Sequence, residues 1–235
     1  MTHDATQPLN PLQQYFNNNE GRLLTKWRHY LDIYHRHFER YRGRSPTVVE
    51  IGVYHGGSLQ MWKQYFGSGA RIVGVDVNPR LRDLGEEGIE IVIGDQGDHA
   101  FLRRLAQQVG PIDILIDDGG HTMPQQIGTV EALFGAVATD GVILIEDTHT
   151  SYWREYGGGL RAHSTFMQFA KHLIDELNAY HSRDPQSFAP GPFTHATRSM
   201  HFYDSVVVIE KGLHPRPEEI SSGSPSFPVD TPMNE

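Results

Sequence analysis

The chain has 235 residues, 38% hydrophobic and 21% charged, which suits one globular α/β domain with some elaboration and argues against a disordered or fibrous chain. It contains no cysteine, so disulfides and thiolate metal sites are excluded. A net charge of −9 speaks against a nucleic-acid partner, because phosphate binding wants a basic surface.

No apolar run approaches the roughly 18 residues of a membrane span, and residues 1–24 lack the apolar centre of a secretory signal. A cytoplasmic protein with no membrane partner is the expectation.

Residues 1–20 are polar and rich in Asn, Gln and Thr, and 1–21 read as a partly ordered arm. In residues 22–40, Leu23, Trp27, Tyr30, Leu31, Tyr34 and Phe38 recur at helical spacing and predict an amphipathic helix. Arg22, Lys26, Arg28, Arg36, Arg40, Arg42 and Arg44 make this stretch basic, which reads as a solvated helix face. A regular alternation follows. Apolar runs at 47–53, 71–76, 89–94, 112–117 and 142–146 read as strands, and 58–66, 98–108 and 124–137 as helices. That order predicts a mostly parallel sheet with helices on both faces.

Residues 164–181 predict a longer helix with Phe166, Phe169, Leu173 and Leu177 aligned. The Pro-rich stretch 184–197 reads as a loop that helps choose an acceptor. Residues 200–203 and 206–210 read as two adjacent strands pairing as a final antiparallel element. The main domain is thus expected at 22–211, followed by a flexible Pro/Ser-rich tail at 212–235.

The loop Glu50-Ile51-Gly52-Val53-Tyr54-His55-Gly56-Gly57-Ser58 follows a buried strand and opens a helix. Its glycines let the backbone approach a ligand at the carboxyl end of the strands. It is not the Gly-x-Gly-x-x-Gly fingerprint of dinucleotide sites. An acid before the glycines, Glu50, repels a pyrophosphate but suits a cation, and S-adenosylmethionine offers an ammonium and a sulfonium. Asp76 ends the second strand, where an acid can accept both ribose hydroxyls of an adenosine. Gly94-Asp95-Gln96 ends the third, where an adenine amine could be read. Each acid alone could equally cap the following helix; three in register on successive strands argue for a ligand. The expected cofactor contacts are Glu50, Gly52, Gly57, Ser58, Asp76, Asp95, Gln96 and Asp117.

The fourth strand runs into Asp117-Asp118-Gly119-Gly120-His121 and the fifth into Glu146-Asp147. As neighbours in the sheet they would bring Asp118, Glu146 and Asp147 together. Three close carboxylates repel unless a cation sits among them, and hard oxygen donors favour Mg²⁺ or a similar ion. An alcohol is a poor nucleophile near neutral pH, so oxygen methylation also needs a base. His121 can project over the same pocket as that base, or cap the helix starting near residue 124. His149 could support the metal ligands. His201 could line an acceptor pocket, and Tyr152 and Trp153 could stack on a sugar or an aromatic ring; core roles explain these residues as well.

Taken together, Glu50-Ile51-Gly52-Val53, Gly56-Gly57-Ser58-Leu59-Gln60-Met61-Trp62, Asp117-Asp118-Gly119-Gly120-His121, Glu146-Asp147-Thr148, Thr150-Ser151-Tyr152-Trp153, the upstream Lys26-Trp27-Arg28-His29-Tyr30 and the late His201-Phe202-Tyr203-Asp204-Ser205 resemble the macrocin O-methyltransferase family. The resemblance spans about residues 24–211. It implies a class I methyltransferase Rossmann-like fold using S-adenosylmethionine and Mg²⁺ to methylate a sugar hydroxyl, of a macrolide deoxysugar or an oligomannoside. It implies that Asp118, Glu146 and Asp147 hold the metal and that His121 is the base. A homodimer is the expected assembly. A catechol-type O-methyltransferase is the nearest alternative; such enzymes usually place a lysine near the metal, where this loop offers His121. A nicotinamide oxidoreductase and a non-catalytic S-adenosylmethionine-binding protein are weaker ones.

Overall fold

In a computed structural model, which describes residues 8–227, β-branched runs pair into one seven-stranded sheet. The strands are β1 (Thr47–Ile51), β2 (Arg71–Asp76), β3 (Ile89–Ile93), β4 (Ile112–Asp117), β5 (Val137–Ile145), β6 (Thr197–Tyr203) and β7 (Val206–Lys211). Their order is β3-β2-β1-β4-β5-β7-β6. The first five pair in parallel, and β7 runs antiparallel to both β5 and β6. The expected α/β sheet with a late antiparallel element is therefore present. The first residues of the arm, 1–7, and the end of the tail, 228–235, lie outside the described residues.

Alternate residues of the central strands feed two cores. Val48, Ile114, Ile116, Val142 and Leu144 face one side with α1 (Pro11–Asn17), α2 (Tyr30–Phe38) and α3 (Gly57–Phe66). Val49, Leu115, Ile143 and Ile145 face the other with α4 (His99–Val109), α5 (Met123–Leu133) and α6 (Phe166–Leu177). This is the period of two that a sheet covered on both faces requires. Tyr34 anchors the first core, its ring 5.1 Å edge-on from Trp62. No helix of the described residues is long and apolar enough to cross a membrane.

Several boundaries differ from the sequence reading. The segment read as a polar arm contains α1, whose Leu12 is fully buried. The loop at 184–197 contains a short α7 (Pro192–Ala196) and runs directly into β6. Phe193 of that segment packs on Phe134, just before β5 begins, so α7 lies at the end of β5 opposite Glu146. The start of the tail is tied down, with Tyr180 Oη donating to the His214 carbonyl at 3.0 Å.

The largest difference is the helix expected at 22–40. It begins only at Tyr30. Residues 19–29 instead run as an irregular strap, leaving Leu23 and Trp27 exposed and the Lys26 side chain buried. The physical reason lies at the carboxyl end of the sheet.

Candidate active site

The strand order reverses between β1 and β4, and a ligand crevice opens outside the carboxyl ends there. Gly52 turns the chain out of β1 at φ +95°, and a Cβ on it would stand 1.9 Å from the Asp118 carbonyl oxygen. Any side chain there would force β1 and β4 apart. Gly57 opens α3 against the strap, where a Cβ would meet the Leu23 carbonyl at 2.3 Å. The glycines thus serve close approach of backbone to backbone as well as to a ligand.

Two pockets flank this point. One, of about 320 Å³, is lined by Gly52, Tyr54, Asp76, Asp95, Gln96 and Gly119, among others. The other, of about 340 Å³, is lined by Leu23, Lys26, Tyr54, Gly57, Ser58 and His121, among others. Asp76 and Asp95 stand at the rim. Asp76 accepts from the Val53 and Asn78 amides at 3.0 and 2.9 Å, and Asp95 accepts from the Gly97 amide at 2.8 Å. Those bonds fix the loops and leave acceptor capacity free.

The other expected cofactor contacts are placed differently. Gln96 lines the pocket, but its amide donates to both Asp117 oxygens at 2.8 Å and to Thr129 at 3.0 Å. Asp117 is fully buried beneath it, its carboxyl pushed up by that burial. These two lock β4 to the turn after β3. Glu50 is fully buried too and accepts from Ser58 Oγ at 2.6 Å. It sits beneath the strap, facing Lys26 Nζ at 3.7 Å.

Lys26 is the residue the sequence reading missed. Its ammonium lies 2.5 Å from Asp118 Oδ2, and 2.9 and 3.1 Å from the two oxygens of Glu146. Burial works against its charge, but Asp118, Glu146 and Glu50 outweigh it and hold the group well above the usual lysine value. Three carboxylates drawing in one ammonium explain why the strap abandons helical periodicity. The solvated helix face read for the basic stretch accordingly fails at Lys26. The signal for Lys26 was present in the Lys26-Trp27-Arg28-His29-Tyr30 patch of the family resemblance. A lysine in this cluster also removes the contrast that set the catechol-type alternative apart.

Asp118, His121 and Asp147 converge beside it, with one donor atom from each within 4.8 Å of the others. His121 Nε2 lies 3.5 Å from Asp147 Oδ2 and 4.0 Å from Asp118 Oδ1. His121 and Asp147 both adopt left-handed backbone, φ 55° and 52°, strain that concentrates at functional sites. His121 is not the cap of α5; Thr122 is, in a capping box with Gln125. Tyr30 Oη donates to Asp147 Oδ1 at 2.6 Å and fixes that carboxylate. His149 stands 3.9 Å from Asp147 Oδ1 and bonds to Ser205 Oγ. His201 lies apart from the cluster, against His37 and Tyr203.

This donor set fits a hard cation. Asp118 and Asp147 offer partly exposed oxygens to the pocket of about 320 Å³ that they line with Thr25, Trp27 and Tyr30, with room for water ligands. Glu146 borders the same pocket but turns its oxygens to Lys26.

The fold and this crevice are those of the class I methyltransferases, and residues 49–148 match the family model described as a methyltransferase domain. The chain is 38% identical over 196 residues to the 8-demethyl-8-(2-methoxy-alpha-L-rhamnosyl)-tetracenomycin-C 3'-O-methyltransferase of Streptomyces olivaceus, covering 79% of this chain and 50% of that protein. It is 35% identical over 191 residues to demethylmacrocin O-methyltransferase of Streptomyces fradiae, covering 77% and 48%. The MycE methyltransferase from the mycinamycin biosynthetic pathway, solved in complex with Mg and SAH, superposes with a TM-score of 0.76 at 33% identity, covering 86% of this chain and 54% of that one. The chain is a relative of the macrocin-type sugar O-methyltransferases, and it spans about half the length of the relatives it matches.

Proposed function

We propose that the protein methylates a sugar hydroxyl of a small-molecule glycoside or oligosaccharide, with S-adenosylmethionine as donor and Mg²⁺ as metal. The observation that carries this reading is the convergence of Asp118, Asp147 and His121 at the mouth of a crevice lined by Asp76 and Asp95. When bound, S-adenosylmethionine supplies the methyl group and Mg²⁺ a hard cation for the acceptor hydroxyls. Asp118 and Asp147 would hold the metal, with Glu146, which borders the same pocket, as the third carboxylate. Asp76 and Asp95 take the adenosine part of the donor against Gly52 and Gly119.

His121 Nε2 faces the carboxylates and takes the proton of the acceptor hydroxyl. Asp147, 3.5 Å away, stabilises the imidazolium that results. The strap lies across both sides of this point: Lys26 borders both the pocket beside Asp147 and the one beside Ser58, so the strap shields the transfer from water.

Calorimetric titration tests the reading. S-adenosylmethionine is expected to bind the parent and to lose affinity in D76N. Mg²⁺ is expected to bind the parent and not D118A. Absence of S-adenosylmethionine binding to the parent would overturn the assignment.

A further inference from the structure

The rim of the acid cluster carries aromatic rings that neither core uses. Trp27 is 58% exposed, yet it lines the pocket with Asp118, Glu146 and Asp147. Trp153 is 45% exposed on the opposite loop. His149 joins them, its ring centroid 6.2 Å from Trp27 and 4.5 Å from Trp153. The same imidazole approaches Asp147 at 3.9 Å, so the ring contacts connect to the carboxylates. Tyr156 lies 5.9 Å from Trp153.

The wall is held in place. Trp153 closes the 3-10 turn Thr148–Tyr152, donating its amide to the Thr150 carbonyl at 2.9 Å, and its own carbonyl accepts from Gly158 at 2.9 Å. Beneath it Thr148, Thr150 and Ser151 are buried. Large apolar rings fixed in water gain free energy when something covers them. What covers them must also suit two carboxylates and an imidazole. A sugar ring matches both halves, with an apolar C–H face for the rings and hydroxyls at its edge for Asp118, Asp147 and His121.

We infer that Trp27, His149 and Trp153 form the acceptor wall: a sugar ring lays one face on Trp27 and its rim against His149, whose ring stands at 75° to Trp27 and 68° to Trp153, while an edge hydroxyl is turned to His121. This rests on the sugar-methylating function proposed above. The wall adds which residues select the acceptor: Trp27 and His149 against the ring to be methylated, Trp153 and Tyr156 against the next sugar or an apolar aglycone.

The test is a titration of methyl rhamnoside, methyl mannoside and catechol into the protein with Mg²⁺ and S-adenosylhomocysteine present. Binding is read from indole fluorescence and calorimetry. Of the three tryptophans, Trp62 is fully buried and serves as an internal constant. The parent is expected to bind a glycoside. W27A and W153A should each weaken it by roughly tenfold, while W153F stays within about threefold, as loss and retention of ring contact predict. Affinity for S-adenosylhomocysteine and the melting temperature should not change. Unchanged glycoside affinity in both alanine variants overturns the wall and leaves the sugar reading standing. A parent that binds catechol and neither glycoside overturns the sugar reading and the wall with it.

Discussion

Lys26 Nζ lies 2.5 Å from Asp118 Oδ2, so an oxygen expected to hold a divalent cation holds an ammonium. The two cations draw on the same carboxylates, and Lys26 carries its charge on a strap with little regular structure. K26M leaves Glu50, Asp118 and Glu146 without their counter-charge, and removing one partner of a buried ion pair costs about 3–5 kcal/mol. The variant should therefore melt well below the parent in chelator. Mg²⁺ should close most of that gap by supplying the missing charge. Scanning calorimetry under both conditions checks this; an equal gap in both would show that lysine and metal do not share the site.

His121 is the proposed base for the acceptor hydroxyl. H121A should lower turnover by about a hundred- to ten-thousand-fold while S-adenosylmethionine affinity stays within about twofold. Steady-state kinetics and a binding titration on one preparation separate the two. Parent-like turnover would remove His121 from the reaction.

Asp118 and Asp147 come from different strands and meet only in the fold. D118A and D147A should each weaken Mn²⁺ binding, followed by paramagnetic resonance, by about a hundredfold or more, because each removes a charged donor. H149A, which leaves both carboxylates in place, should weaken it less. Mn²⁺ affinity that survives D118A would place the ion elsewhere.

Glu50 makes stability depend on pH. Burial raises its carboxyl to about 7 from the ordinary 4.5, with Lys26 pulling the other way. Between those values the folded chain holds a proton that the unfolded chain has released, so stability falls as pH rises through this window. At 1.36 kcal/mol per unit the loss is at most about 3 kcal/mol. Urea midpoints at about pH 5 and pH 8 should drop for the parent and drop less for E50Q. Equal slopes would mean Glu50 titrates elsewhere.

The sheet was legible because its strands are buried on both faces and so read as unbroken β-branched runs. The runs at 71–76 and 112–117 coincide with β2 and β4. Strand β5 starts at Val137, ahead of the apolar run at 142–146, because the exposed Thr139 and Asp140 interrupt the apolar pattern. Asp76, Asp95, Asp118, His121 and Asp147 border the pockets at the carboxyl ends of the strands, since residues there have few other places to be. Gln96 and Asp117 look like ligand contacts in sequence, but bond to each other across 21 positions. Lys26 escaped for the same reason: its partners lie 92 and 120 positions away, and local periodicity reads Leu23, Trp27 and Leu31 as one helical stripe.

The proposed reaction is metal-dependent transfer of a methyl group to a sugar oxygen. The most direct test incubates the protein with methyl-labelled S-adenosylmethionine and a panel of rhamnosides, mannosides and catechols, with Mg²⁺ or with chelator, and locates the label by mass spectrometry and NMR. Label is expected on one sugar hydroxyl, only with Mg²⁺, and at least about a hundredfold more slowly in H121A. Label on catechol alone, or sugar labelling undiminished by chelator, would contradict it.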